Sequence, residues 1–230
     1  MKTTITSRTV IWTMALALGG LLGAVMPADT ARAAVDTRTV RTESGARPAA
    51  AAAKYIVAAD GNEARYRVRE RLAGRDLDND AVGITKGVTG SIMFDDAGRV
   101  MRDSSKFTID LTTLASDAAR RDGYVRRNTL EVEKFPTATF VPFQLLGLDG
   151  GLPKTGSFTF QMVGELTLHG VSRLTTWSVT AQASNDTYTG TAETQFKFAD
   201  FQMTQPRVPV VLSVKDSIQL EYAFKLVKSK

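Results

Sequence analysis

Beyond Lys54, apolar and polar residues alternate with a period of two along most of the chain. Neighbouring side chains of a strand point to opposite faces, so such runs mark strands with one dry and one wet side. The cleanest run ends at Phe198: Tyr188, Ala192, Phe196 and Phe198 face one way, and Thr189, Thr191, Glu193, Gln195 and Lys197 the other. Earlier, Tyr66 and Val68 oppose a stripe of Arg65, Arg67, Arg69 and Arg71, with Glu70 as the charged exception on the inner side. Val88, Gly90, Ile92 and Phe94 share a face that ends at a turn around Asp95-Asp96-Ala97-Gly98. Phe107, Ile109 and Leu111 lie on a third strand expected to begin near Arg99, and Ala138 and Phe140 on a strand after Pro136. Phe158, Phe160, Met162, Leu166 and Leu168 share one face of a long strand, and Trp177 and Val179 a face of the next. Ile218, Leu220, Tyr222, Phe224 and Leu226 close the series.

About eight strands of this kind predict an all-β, antiparallel β-barrel, because closure removes the exposed edges of an open sheet. A barrel of that size either fills with side chains or leaves room for one ligand. Alternation leaves both outcomes open. If the lumen is open, its lining is Tyr66, Val68, Ile92, Phe94, Phe107, Ile109, Phe140, Phe158, Phe160, Trp177, Ala192, Phe196, Phe198, Tyr222 and Phe224. One short helix, expected over roughly Asp117 to Glu131, lies across a barrel end. Leu114, Ala118, Tyr124, Val125 and Leu130 form its apolar side, with Arg120, Arg121, Arg126 and Arg127 outside. Phe135 precedes Pro136 and is held extended, so the helix ends before it.

The first 33 residues have the parts of an export signal: Lys2 and Arg8, the apolar stretch Val10 to Val25, and Ala31-Arg32-Ala33 as a small-x-small cleavage site. The stretch is shorter than the roughly 20 apolar residues a spanning helix needs, which favours cleavage over retention as an anchor. Residues 34–53, with Pro48 and a run of alanines, show neither period and predict a disordered linker. The barrel domain is expected over 54–230, in the periplasm or secreted. With no cysteine, neither a lipidated cysteine anchor nor a disulfide framework is available. The formal charge of +5 resides largely in the leader and linker: residues 54–230 hold 23 basic and 21 acidic side chains, which is no signature for nucleic acid.

No catalytic or metal motif stands out. His169, the one histidine, stands at a strand end before Gly170, where a structural contact to backbone is expected rather than a triad or zinc site. Asp110, Asp122 and Asp200 fall on different elements, and Asp122 is expected near a helix start or beside an arginine. The arginine stripe reads as a solvated outer face or as a strip that docks to an anionic membrane surface or acidic partner.

Several segments taken in order carry a resemblance: Phe107-Thr-Ile-Asp-Leu111; Arg121-Asp122 with Leu130; Phe135-Pro136-Thr-Ala-Thr-Phe140; and Gly164-Glu-Leu-Thr-Leu-His-Gly-Val171. Gly190 with Phe196, Phe198, Asp200 and Phe201, then Asp216 ahead of the last strand, complete it. Over most of residues 54–228 the chain resembles the YceI family. The resemblance implies a periplasmic, lipocalin-like β-barrel whose lumen holds a polyprenyl lipid or isoprenoid quinone, with no covalent cofactor and no chemical step. His169, Arg121 and Arg126 are then candidates for head-group or surface contacts, and a homodimer is one candidate assembly. Two departures are Leu72 to Lys86, which reads as an inserted loop, and Met203, where a small residue is commoner. The competing function is an envelope docking module with a packed barrel, using the Arg65–Arg71 strip.

Overall fold

The alternating runs form strands whose dry faces turn inward around a common axis. The computed structural model describes residues 51–73, 78–148, 151–207 and 211–229. The expected export segment and residues 34–50 of the expected linker lie outside them. The strands are β1 (Ala51–Val57), β2 (Glu63–Leu72), β3 (Asn79–Thr85), β4 (Val88–Asp95) and β5 (Lys106–Asp110). They continue as β6 (Thr137–Leu146), β7 (Thr155–Leu168), β8 (Val171–Ser184), β9 (Thr187–Lys197) and β10 (Val211–Lys228). Eight of them close an antiparallel ring in the order β1-β4-β5-β6-β7-β8-β9-β10, with β10 returning to β1. β2 and β3 form a hairpin attached to the other stretch of β10.

One side of the ring is highly regular. β7 and β8 pair without interruption from Thr155↔Ser184 to Leu168↔Val171. Their two-residue turn, His169-Gly170, has positive φ at both positions (52° and 73°), the backbone whose twist matches a tight hairpin. β9 pairs in register with both β8 and β10.

The opposite side is a seam. β10 is long enough to meet two partners along one edge, β1 through Leu226–Lys228 and β2 through Val211–Ala223. β1 therefore closes the wall at one end of the barrel and the β2–β3 hairpin covers the other. β3 corrects the expected loop over Leu72 to Lys86: Asn79, Asp80 and Gly83 carry turn chemistry, yet Asn79–Thr85 registers fully with β2. Gly83 packs closely on its neighbour: a Cβ at that position would lie 2.2 Å from Cε1 of Tyr66, so the ring would have to shift to admit one.

Other boundaries also move. β1 begins at Ala51, so alanines assigned to the linker join the wall, where β4 pairs with them. The third strand starts at Lys106, because Arg102–Ser104 forms a 3-10 turn and only Val100 bridges back, to Phe94. Asp216 lies inside β10, in a register shift between Val214 and Ile218, rather than ahead of it. The helix is shorter than expected: α1 (Ala119–Tyr124) runs into a π-helical turn, Val125–Thr129. The chain leaves it at Glu131, whose φ is 46°, and Pro136 then offers its carbonyl to Leu111 N at 2.9 Å.

Candidate functional site

The inward faces enclose a cavity of about 480 Å³. All fifteen side chains expected in an open lumen line it: Tyr66 and Val68 from β2; Ile92 and Phe94 from β4; Phe107 and Ile109 from β5; Phe140 from β6. Phe158 and Phe160 come from β7, Trp177 from β8, Ala192 and Phe196 from β9, Phe198 from the turn after it, and Tyr222 and Phe224 from β10. Tyr55 joins them from β1. It escaped the sequence reading because its strand is introduced by alanines, although Tyr-Ile-Val is a strand-favouring run.

The polar tips of several lining aromatics are tied to the wall, which leaves their apolar faces to the cavity. Tyr188 Oη donates to the Pro153 carbonyl at 2.9 Å, and Tyr222 Oη to Asn62 Oδ1 at 2.8 Å. Trp177 Nε1 donates to Thr175 Oγ1 at 3.1 Å. Burial pushes both tyrosine hydroxyls well above the usual phenol range, so they remain neutral donors. Tyr55 packs edge-on against Tyr188 at 4.9 Å, and Phe158 stacks with Phe160 at 5.8 Å.

The helix forms part of the wall near the other end. Here the sequence expectation needs correction: Arg121 does not face outward. It borders the cavity, with Nη2 3.9 Å from Glu70 Oε1 and Nη1 3.2 Å from Asp117 Oδ1. Burying one charge next to another is tolerable because each offsets the other's loss of water. Asn79 Nδ2 reaches Glu70 Oε1 at 3.5 Å. Asp122, also buried, accepts from Ser116 Oγ at 2.6 Å, so it holds the segment leading into the helix rather than an arginine. Thr129 borders the cavity too, and its buried Oγ1 has no hydrogen-bond partner. Burial pushes the Tyr66 hydroxyl up to about 12, with Arg121 opposing the shift and Asp122 and Glu70 adding to it.

The other two candidate head-group residues do not line the cavity. Arg126 Nη1 donates to the Leu114 carbonyl at 2.9 Å. His169 Nε2 donates to Glu131 Oε2 at 2.8 Å, Nδ1 faces the Phe201 carbonyl at 3.2 Å, and Phe135 packs edge-on against the ring at 4.8 Å. The imidazole thus joins the β7–β8 turn to the helix exit and to Phe201, whose side chain is fully buried. The contact is structural, though it reaches beyond its own turn.

Three arginines of the stripe are matched by acids on β2, on β10 and at the start of β3. Arg65 pairs with Glu63 and with Glu221 at 3.6 Å; Arg67 pairs with Asp80 at 3.2 Å and Glu221 at 3.1 Å. Arg69 reaches Asp78 at 3.5 Å and Asp80 at 3.4 Å. This cross-strand lattice leaves little unpaired charge on those three side chains, while Arg71, the fourth of the stripe, is exposed.

Comparison with known proteins follows the geometry. Residues 55–226 match the model of the YceI-like domain. A UPF0312 protein of Azotobacter vinelandii is 32% identical over 127 residues, covering 54% of this chain and 59% of the relative. One of Pseudomonas putida strain W619 is 34% identical over 101 residues, covering 43% and 47%. The chain thus spans about half the length of these curated relatives. Among solved structures, a polyisoprenoid binding domain from Saccharophagus degradans, implicated in plant cell wall breakdown, superposes with a TM-score of 0.59. It is 14% identical, with 76% of this chain and 98% of that one covered. Burkholderia cenocepacia BcnA superposes with a TM-score of 0.53 at 17% identity, covering 71% and 95%. Those two likenesses are of fold, whereas the domain match spans the whole ring from β1 to β10: this chain belongs to the YceI-like family.

Proposed function

We propose that this protein is a non-catalytic carrier outside the cytoplasm that holds the tail of a polyisoprenoid lipid, an isoprenoid quinone among the candidates, in its lumen. The observation that carries the reading is the cavity of about 480 Å³ with its nearly continuous lining of aromatic and aliphatic side chains. Each methylene moved from water into such a lining gains ~0.8 kcal/mol, so a prenyl chain is held without many polar contacts. Selectivity then comes from the width and length of the tube. The polyisoprenoid binding domain of like fold supports a lipid as occupant. Export is supported by the apolar leader and the small-x-small step before Ala34.

The test compares the parent with Ala192→Trp, both recovered from their own envelope. Ala192 is buried on the wall and borders the cavity, so an indole there occupies ligand space rather than displacing a packed neighbour. The parent is expected to release a prenyl lipid into organic solvent, detected by mass spectrometry, and to show the mass of a chain beginning at Ala34. The variant is expected to fold, to carry no lipid, and to melt within roughly 5 °C of the delipidated parent. A parent with no extractable lipid and a variant that unfolds would sink the carrier reading.

A further inference from the structure

The ladder between β9 and β10 stops at Ser217, and nearer its start β10 pairs with β2 alone, through Val211↔Leu72, Ser213↔Arg71 and Val214↔Glu70. The two strands thus end as a tip beyond the ring. Leu212, in the register shift of that tip, is 63% exposed. A lone exposed leucine means little; its surroundings give this one a role. Arg71, Arg207 and Lys215 are exposed around it and have no ion-pair partner among the described residues, and Asp216 is the free acid there. Gln205 Nε2 donates to the Val214 carbonyl and so holds the segment before Arg207 against the tip. The tip stands beside an opening of the lumen. Val214 and Pro206 line the cavity, and of its lining residues Arg120 alone is exposed. The next residue, Arg121, lies 3.9 Å from Glu70 and also holds Asp117, which leaves Arg120 a further free cation at this rim. At the other end of the barrel the charges are largely matched. Lys225 is bound to Asp60 at 2.8 Å, Lys228 to Asp186 at 3.4 Å and Arg99 to Asp95 at 2.8 Å, with Lys54 and Lys154 set against Asp96.

We propose that this rim docks on an anionic lipid bilayer, with Leu212 entering the interface and Arg71, Arg120, Arg207 and Lys215 meeting lipid phosphates. An apolar side chain among basic ones is what holds a protein at such a surface: burial of the first adds to attraction of the others by the negative leaflet. The guanidinium fork suits phosphate oxygens in particular. The bilayer is favoured over an acidic protein because, on the carrier reading above, the lumen opens beside these same residues. Docked there, a tail passes between bilayer and lumen without crossing water, which removes the largest cost of moving it.

The chain has no cysteine, so a single introduced thiol reports on one position. Leu212→Cys and, at the other end, Lys154→Cys each carry an environment-sensitive fluorophore, in protein recovered from its own envelope. Each is mixed with phosphatidylcholine vesicles containing either none or roughly 30% phosphatidylglycerol. The label at 212 is expected to shift to the blue with the anionic vesicles only, and the label at 154 with neither. In sedimentation of unlabelled protein with the anionic vesicles, Arg71→Glu with Arg207→Glu is expected to lower partitioning roughly twentyfold or more. Raising salt from roughly 0.1 to 0.5 M is expected to lower the parent's partitioning several-fold. Exposed reversals of this kind leave folding nearly intact; should the double variant not fold, the two labels decide. No shift at 212, an equal shift at both positions, or a folded double variant that partitions like the parent overturns the proposal. Docking needs no prenyl lipid in the lumen. A protein that yields extractable lipid and fails these tests therefore keeps the carrier reading and loses the docking, and one that docks but carries no lipid does the reverse.

Discussion

The wall made by β7 to β10 and the seam made by β1 to β3 with the helix belong to one barrel, yet different physics builds them. In the first, β7 pairs with β8 and β9 with β10 in unbroken register along their length, and alternation decides what faces inward. In the second, the outer edge of β3 meets, among the described residues, a single bridge, in which Ile84 and Ala115 exchange hydrogen bonds of 2.7 and 3.0 Å. The adjacent Gly87 carbonyl accepts from Asp110 N at 2.7 Å, and the helix exit is held by side chains instead of a ladder. The regular wall contributes area that excludes water. The seam contributes Glu70, Arg121 and Thr129, polar groups that border the cavity. Regular pairing serves to build a tube, and departures from it place chemistry inside.

If that contrast is right, the same substitution should cost very different amounts on the two sides. Gly190 in β9 has backbone against it: an added Cβ would lie 2.1 Å from the Thr180 carbonyl oxygen and 2.9 Å from Cα of Ala181. A strand held on both sides cannot retreat, so Gly190→Ala is expected to cost about 3 kcal/mol, near the upper end of overpacking penalties. Urea unfolding measures it, and a loss below about 1 kcal/mol would show that the wall is softer than its registers imply. At Gly83 in β3 the three atoms nearest an added Cβ all belong to Tyr66, a side chain with cavity beside it. Gly83→Ala is expected to cost about 1 kcal/mol or less, the ring swinging into the lumen, and to reduce lipid uptake more than stability. A cost equal to that of Gly190→Ala would erase the distinction between the two sides.

The same division decided what could be read from the sequence. Tyr188, Ala192 and Phe196 were legible because long strands with wet outer faces leave an unbroken period of two. β3 was not, because its inward positions include the small Ala81 and Gly83, whose size answers to Tyr66 across the hairpin, a contact no local pattern reveals. β1 was hidden by alanines that look like linker until β4 pairs with them. Arg121 was assigned to the wet side of the helix by charge alone. Its inward turn depends on Glu70, some fifty positions away, which the sequence marked as an oddity without showing its partner. Helix length was overestimated because Leu130 extends the apolar side of the helix past Thr129, while the left-handed turn at Glu131 coincides with its tertiary contact to His169.

That contact is where the two regions meet, and it yields the smallest effect expected here. Glu131, at the helix exit, accepts from Lys134 Nζ at 2.6 Å and from His169 Nε2 at 2.8 Å, and His169 sits in the β7–β8 turn. Lys134 first and His169 second hold the carboxyl below the usual glutamate range. A carboxylate whose folded-state value is lowered contributes stability that is fully present above its unfolded value and is lost as the pH falls through the folded one. Glu131→Gln keeps the shape of the side chain and removes the titration. The parent should therefore melt slightly above the variant at neutral pH, and the two curves should converge on the acid side, below the ordinary glutamate range. Because every other carboxylate is common to both proteins, the difference between their melting temperatures isolates this joint. A difference that stays constant through the acid range would mean that Glu131 acts through its shape alone, and that hydrogen bonding of its charge contributes nothing to joining the helix exit to the regular wall.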